Sequence, residues 1–177
     1  MEITQHRQLT EADNVAMSGL VCYLTDTFTK EGFTRKIRIH NPGTEKSAPF
    51  AFRFHSMPAI LGGKGLVQGT VRFRGSDPVV RNNNPFFVRI GGVSDPLLER
   101  PLENKSAFIE SETPDLIFAA PGTPGELMMS CPGEKPAAIC FWDTVSGSSS
   151  YEPIWKVRCL APGESCECCL AVRMMAL

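Results

Sequence analysis

The sequence predicts an all-β chain, an antiparallel β-sandwich wound as a single jelly roll of about eight to ten short strands. Three observations predict it. The first is alternation: in Phe50-Ala51-Phe52-Arg53-Phe54-His55 the phenylalanines fall on one side of an extended segment and Arg53 and His55 on the other, because strand side chains alternate between faces. The second is composition. Fourteen prolines, fifteen glycines and only 21% charged residues over 177 positions suit a chain of many turns better than a helical bundle. The third is that no internal repeat period is visible, which argues against a propeller or solenoid.

The elements follow in order. Residues 1–18 read as a polar arm with at most one weak helical turn, and residues 19–177 as one β-sandwich domain. Residues 20–28 are rich in β-formers, and Lys30-Glu31-Gly32 is a hairpin-length connection into residues 33–40, where Phe33, Ile37 and Ile39 oppose Lys36, Arg38 and His40. Asn41-Pro42-Gly43 ends that strand, and residues 48–57 form the next, closed by Pro58. Gly62-Gly63-Lys64-Gly65 turns the chain into residues 66–74, in which Val67, Val71 and Phe73 oppose Gln68, Thr70, Arg72 and Arg74. Short strands are expected at 86–90, 107–110, 115–119, 125–131 and 137–142, with an irregular stretch at 93–105. Ser146-Gly147-Ser148-Ser149-Ser150 reads as a polar loop, and 153–160 with 166–174 as a final pair across Ala161-Pro162-Gly163-Glu164-Ser165.

Length and composition bound the class. The chain is long enough to bury about two thirds of the surface its unfolded form exposes, so it needs no disulfides to fold. Its apolar stretches fall far short of the roughly 20 residues that cross a bilayer. The start, Met1-Glu2-Ile3-Thr4-Gln5-His6-Arg7, lacks the cationic flank and apolar core of a secretion signal, so a soluble intracellular product with no membrane partner is expected. Seven cysteines, an odd number without regular spacing, make poor material for a secreted framework and are read as reduced. Cys166-Glu167-Cys168-Cys169 lacks the gaps of a zinc knuckle; on a strand, Cys166 and Cys168 face one way and Cys169 the other, and all three are read as small buried residues of a core strand. No metal site is assigned.

Charge is distributed unevenly although its net value is −1. Residues 30–90 hold eleven Lys or Arg against three acids, and residues 95–134 eight acids against two bases. Such a two-sided chain fits either a polyanion-binding face or the meeting of basic and acidic surfaces of neighbouring copies. The residues assigned to that basic face, for nucleic-acid or subunit contact, are Lys36, Arg38, Arg53, His55, Arg72 and Arg74, each opposite the apolar register of its own strand. Because Phe50, Phe52, Phe54 and Phe73 point away from these cations, any RNA contact would be to phosphate, without base readout.

The search for reaction chemistry returns absences. Three histidines, His6, His40 and His55, form no His-x-His or His-Glu-x-x-His pattern. Gly62-Gly63-Lys64-Gly65 lacks the spacing and the Ser or Thr of a phosphate loop, Asp143-Thr144-Val145-Ser146-Gly147 is not an Asp-Thr-Gly, and no Gly-x-Ser-x-Gly elbow occurs. No catalytic residue and no cofactor are assigned, and the chain is expected not to be an enzyme.

Ile90-Gly91-Gly92, Pro101-Leu102-Glu103 and Thr144-Val145-Ser146-Gly147, in that order on a short all-β chain with reduced cysteines, Pro- and Asn-rich loops and no basic arm, carry a resemblance. The chain resembles the single jelly-roll coat proteins of small icosahedral RNA viruses, and among them the tymovirus-like coats. The resemblance implies a structural capsid protein made in the host cytoplasm and residing in the virion, whose partner is itself in an icosahedral shell, with phosphate contacts to viral nucleic acid. The alternative function is a non-catalytic β-sandwich binding module, trimeric ligand-like, lectin-like or a viral spike or accessory protein.

Overall fold

The computed structural model of the chain describes residues 1–10, 19–56, 70–73, 78–79, 86–89, 116–119, 125–143 and 149–176. These hold no helix, and every strand pairing among them is antiparallel. The strands are β1 (Ile3–Gln8), β2 (Val21–Phe28), β3 (Gly32–His40), β4 (Thr70–Phe73), β5 (Pro78–Val79), β6 (Phe86–Arg89), β7 (Leu116–Ala119), β8 (Gly125–Ser130), β9 (Ala138–Asp143), β10 (Ser149–Ile154) and β11 (Ser165–Ala176). One sheet runs β1-β2-β3-β11-β8-β7-β4-β5 and a second β10-β9-β6.

Alternation sets the faces. In β2, Cys22, Leu24 and Asp26 are buried while Tyr23 is exposed, and in β3 Ile37 and Ile39 are buried between exposed Lys36 and Arg38. On β11, Cys168 pairs with Ile37 and joins the core, Cys166 pairs with Ile39 and packs against it, and Cys169 sits opposite Lys36 on the other face. The predicted division of the cysteine cluster therefore holds. Burial pushes the thiols of Cys22, Cys166, Cys168 and Cys169 up from their ordinary range, so they stay protonated at neutral pH. The six cysteines with described side chains are free thiols.

One apolar cluster joins the two sheets. Leu24, Ile37, Ile39, Leu127, Met129, Cys168 and Leu170 of the larger sheet pack with Phe54, Ile139, Tyr151, Trp155 and Leu160. At the β2–β3 turn Gly32 sits at φ +152°, where a Cβ would run into the Val172 carbonyl of β11, so only glycine lets the strands close there.

Four elements depart from the sequence expectation, the first being the final pair expected between 153–160 and 166–174, since β11 pairs with β3 and β8 and β10 ends at Ile154. Residues 3–8, expected within a polar arm, form β1 along β2. All six are exposed, so no apolar alternation marks them, yet Thr4 faces Thr27 and His6 Nδ1 lies 2.9 Å from Thr25 Oγ1. Serines 149 and 150, expected in a loop, begin β10. The run predicted as one strand over 48–57 makes isolated bridges, Phe50 with Arg158, Arg53 with Ile154 and Ser56 with Tyr151. Pro153, which has no N–H, sits in the facing strand and explains part of that interruption. The Gly62–Gly65 turn, the 107–110 strand, Arg74 and the three coat-like motifs lie outside the described residues.

Candidate active site

The site is built on the ladder between residues 50–56 and 151–158. Backbone bonds hold it: Phe50 N to Arg158 O at 2.9 Å, Arg158 N to Phe50 O at 3.0 Å, Trp155 N to Phe52 O at 2.9 Å and Tyr151 N to Ser56 O at 2.9 Å. On its core side Phe52, Phe54 and Trp155 stack edge to face, with the Phe52 and Phe54 centroids 5.1 Å apart and those of Phe54 and Trp155 5.7 Å apart. The Trp155 indole N–H donates to Glu134 O at 2.9 Å, so the ring is fixed at its polar end as well. Packing on this side sets the position of whatever projects from the other.

From the other side project Arg53 and His55, and between them lies Glu152. Its carboxylate is split: His55 Nδ1 stands 2.7 Å from Oε1, and Arg53 Nη1 stands 3.2 Å from Oε2. Glu152 is 4% exposed, whereas the Arg53 and His55 side chains are 59% and 58% exposed. A carboxylate cannot be carried that far from water without compensation, and here a guanidinium and an imidazole provide it from the solvent side. An ionised carboxylate only accepts, so the hydrogen bond to it comes from His55 Nδ1–H, which leaves Nε2 as the ring nitrogen open to a ligand. Each carboxylate oxygen keeps a further lone pair. The cluster thus offers an acceptor in a dry setting and an exposed proton carrier beside it.

Sequence reasoning found two of these three residues and missed the third. Arg53 and His55 were assigned to a basic face because they oppose the phenylalanines, whereas Glu152 stood next to an expected loop and before a proline. The signal for it was available: a lone acid in Tyr151-Glu152-Pro153-Ile154-Trp155 is flanked by residues that strands bury.

The remaining expected site residues lie elsewhere. Lys36 and Arg38 alternate with buried Ile37 and Ile39 on β3, and Arg53 and His55 alternate with Phe52 and Phe54 on their own segment. Lys36 Nζ meets Glu167 at 3.4 Å, and Arg38 Nη2 donates to Ser165 Oγ at 3.2 Å. Arg72 falls in β4, and Arg74 lies outside the described residues.

No family model and no curated protein sequence matches the chain. Solved structures do. The Slr1438 protein from Synechocystis sp. PCC 6803 matches with TM-score 0.62 and 13% identity, over 99% of this chain and 62% of that one. A candidate aldose 1-epimerase from Escherichia coli K12 matches with TM-score 0.62 and 12% identity, over 99% of this chain and 66% of that one. A galactose mutarotase-like protein from Lactobacillus casei ATCC 334 matches with TM-score 0.58 and 12% identity, over 98% of this chain and 70% of that one. The chain thus spans about two thirds of the length of these structures. At such identity the likeness is one of fold.

That likeness corrects the expectations drawn from the coat-protein resemblance. The neighbours are bacterial proteins, several of them described as mutarotase-like or as an aldose 1-epimerase, and not virion components, which overturns the assignment to a viral coat, the capsid function and the virion location. It also overturns the expectation that the chain is no enzyme, since the neighbours are described as epimerase-like or mutarotase-like. The coat resemblance rested on short loop motifs, and loop tripeptides recur on many unrelated β folds.

Proposed function

We propose that the chain acts on the hemiacetal of an aldose sugar, with aldose 1-epimerase chemistry carried by Glu152, His55 and Arg53. The finer architecture that goes with this reading is a β-sandwich of the mutarotase type, its two sheets facing each other across the shared core. The observation that carries it is the buried Glu152 carboxylate held 2.7 Å from His55 and 3.2 Å from Arg53 on a fold of this type.

Anomer exchange needs a base at the anomeric hydroxyl and an acid at the ring oxygen, and nothing else. Glu152 accepts the proton from O1–H. As the C1–O1 bond becomes a carbonyl, the C1–O5 bond breaks and protonated His55 delivers its proton to O5. The open aldehyde turns about C1–C2, O5–H attacks the other face, and the two protons return to His55 and O1. No electron is gained or lost. Arg53 holds the second carboxylate oxygen, so that the first stays aimed at the exchange.

Polarimetry or one-dimensional NMR of freshly dissolved α-anomers tests the proposal, over a panel of neutral and phosphorylated aldoses. The wild type is expected to raise the rate of anomer equilibration above the buffer rate. Glu152→Gln and His55→Asn are each expected to lower it by about 10²–10⁴-fold, the usual contribution of a positioned acid or base. A wild type that leaves every sugar of the panel at its buffer rate would overturn it.

A further inference from the structure

The outer edge of β1 is a row of main-chain donors and acceptors without a strand beyond it among the described residues. β1 stands at the end of the larger sheet and pairs with β2 through six consecutive positions, Ile3 with Phe28 to Gln8 with Tyr23, without a bulge. All six residues are exposed. Edge strands are ordinarily guarded by charged side chains, lysine above all, by proline, by a bulge or by short length. β1 has no lysine, proline or bulge, its one permanently charged side chain is Arg7, and six residues is the ordinary length of a strand.

The direction of each main-chain group follows from one bond. Leu9 N donates to Cys22 O at 2.8 Å, so the backbone groups of Leu9 face β2. In an antiparallel pair both groups of a residue point to one side and successive residues alternate, so Ile3, Gln5 and Arg7 also face β2. Thr4, His6 and Gln8 then present their N–H and C=O outward.

We propose that β1 pairs, antiparallel and about a two-fold axis, with β1 of a second copy of this chain, so that the larger sheets of two copies run on as one. Such an axis stands perpendicular to the sheet and keeps the faces of both copies aligned, so each residue opposes one of its own parity. Two registers match outward groups and use β1 equally, centred on Gln5 or on His6; the first, which sets Gln5 against Gln5, Thr4 against His6, Ile3 against Arg7 and Glu2 against Gln8, is the one that avoids His6 against His6 and brings Glu2 nearer Arg7. The outward groups of Thr4, His6 and Gln8 then meet outward groups. Charge complements it: β1 carries its basic residues at its C-terminal end and follows Glu2 at the other, so antiparallel pairing brings the acidic end of one copy beside the basic end of the next, where parallel pairing would set like charges together. Exposed Ile3 would also be covered by the aliphatic stem of Arg7.

Sedimentation velocity from about 1 to about 200 μM reads the outcome, a range suited to a small, largely main-chain interface. The wild type is expected to move from 19.4 kDa toward twice that mass as concentration rises. Thr4→Pro and His6→Pro remove outward N–H groups while leaving the β2 ladder, and are expected to hold the chain at the monomer mass with an unchanged circular dichroism spectrum. Should a proline variant fail to fold, Gln5→Lys and Gln5→Glu test the register by another route. Each alone is expected to be monomeric, and an equimolar mixture to dimerise. A wild type that stays monomeric throughout, or charge variants that dimerise separately as well as together, would overturn the proposal.

Discussion

Asp26 and Glu152 are the acidic side chains buried among the described residues, and their partners separate their tasks. Asp26 is gripped by one residue, Arg35, whose Nε and Nη2 donate to its two oxygens at 2.8 and 2.7 Å. That two-pronged grip leaves a fixed link between β2 and β3, and the hydrogen bond to Asp26 pushes the Arg35 guanidinium up from its ordinary value. Replacing Asp26 by Ala is expected to cost about 2–3 kcal/mol by urea denaturation, toward the low side for a buried pair because Arg35 is partly exposed and water screens it. A loss below the error of the fit would show that the pair contributes nothing. Glu152, shared between a guanidinium and an imidazole, is held without being closed off. Neither acid declares its state in the sequence. Position on a strand gives parity, and parity cannot say whether a cation from another strand will arrive to make burial tolerable.

At the scale of elements, β2, β3 and β11 were legible because each alternates apolar with polar residues, and one side of each faces a core. β1 was not, since both its faces meet water, and β10 was hidden by its serines and by Pro153. Glu152 falls on that second kind of element, which is why it was passed over, whereas Arg53 and His55 stood out through the alternation of residues 50–55. Where β2 turns into β3, Thr29 N donates to Gly32 O at 2.8 Å and Met174 N to Glu31 O at 2.7 Å, so the hairpin end is tied to β11. Gly32→Ala puts a methyl against the Val172 carbonyl in a backbone conformation that L-residues avoid, and neither strand can yield without breaking its ladder. A loss of more than about 2 kcal/mol is expected in thermal or urea unfolding, and a loss under about 0.5 kcal/mol would mean that the strands separate there easily.

For the whole molecule the buried thiols tie stability to pH. In the folded chain burial raises Cys22, Cys166, Cys168 and Cys169 above the value each has when unfolded, Cys168 furthest. The native state then keeps protons that the unfolded state releases, so this contribution is whole at neutral pH and falls once the pH passes the ordinary thiol range near about 8.5. The unfolding free energy is expected to be level between about pH 7 and 8 and then to decline by up to about 1.4 kcal/mol per pH unit for each such thiol. Cys168→Ala should shallow that slope while lowering stability near neutrality, and a slope identical to the wild type would show that the Cys168 proton is not linked to folding. The predicted all-β class with antiparallel strands stands at this scale, because composition and alternation report on class. Of the charge asymmetry between residues 30–90 and 95–134, the acidic part falls mostly on residues outside those described, and a summed charge carries no information on the side to which each strand turns.

The pairing of β3 with β11 also sets an order of events during synthesis. His40 lies opposite Ser165, bonded to it across 125 residues of sequence. The β1-β2-β3 meander can form as soon as it leaves the ribosome, but β3 waits with one edge open until nearly all the remaining described strands have been made. A chain halted before residue 165 would present that edge to any strand it met, and loop closure over such a span is slow compared with hairpin formation. Among the described strands the one made latest joins the early half of the sheet to the later half, so this sheet is closed from its middle.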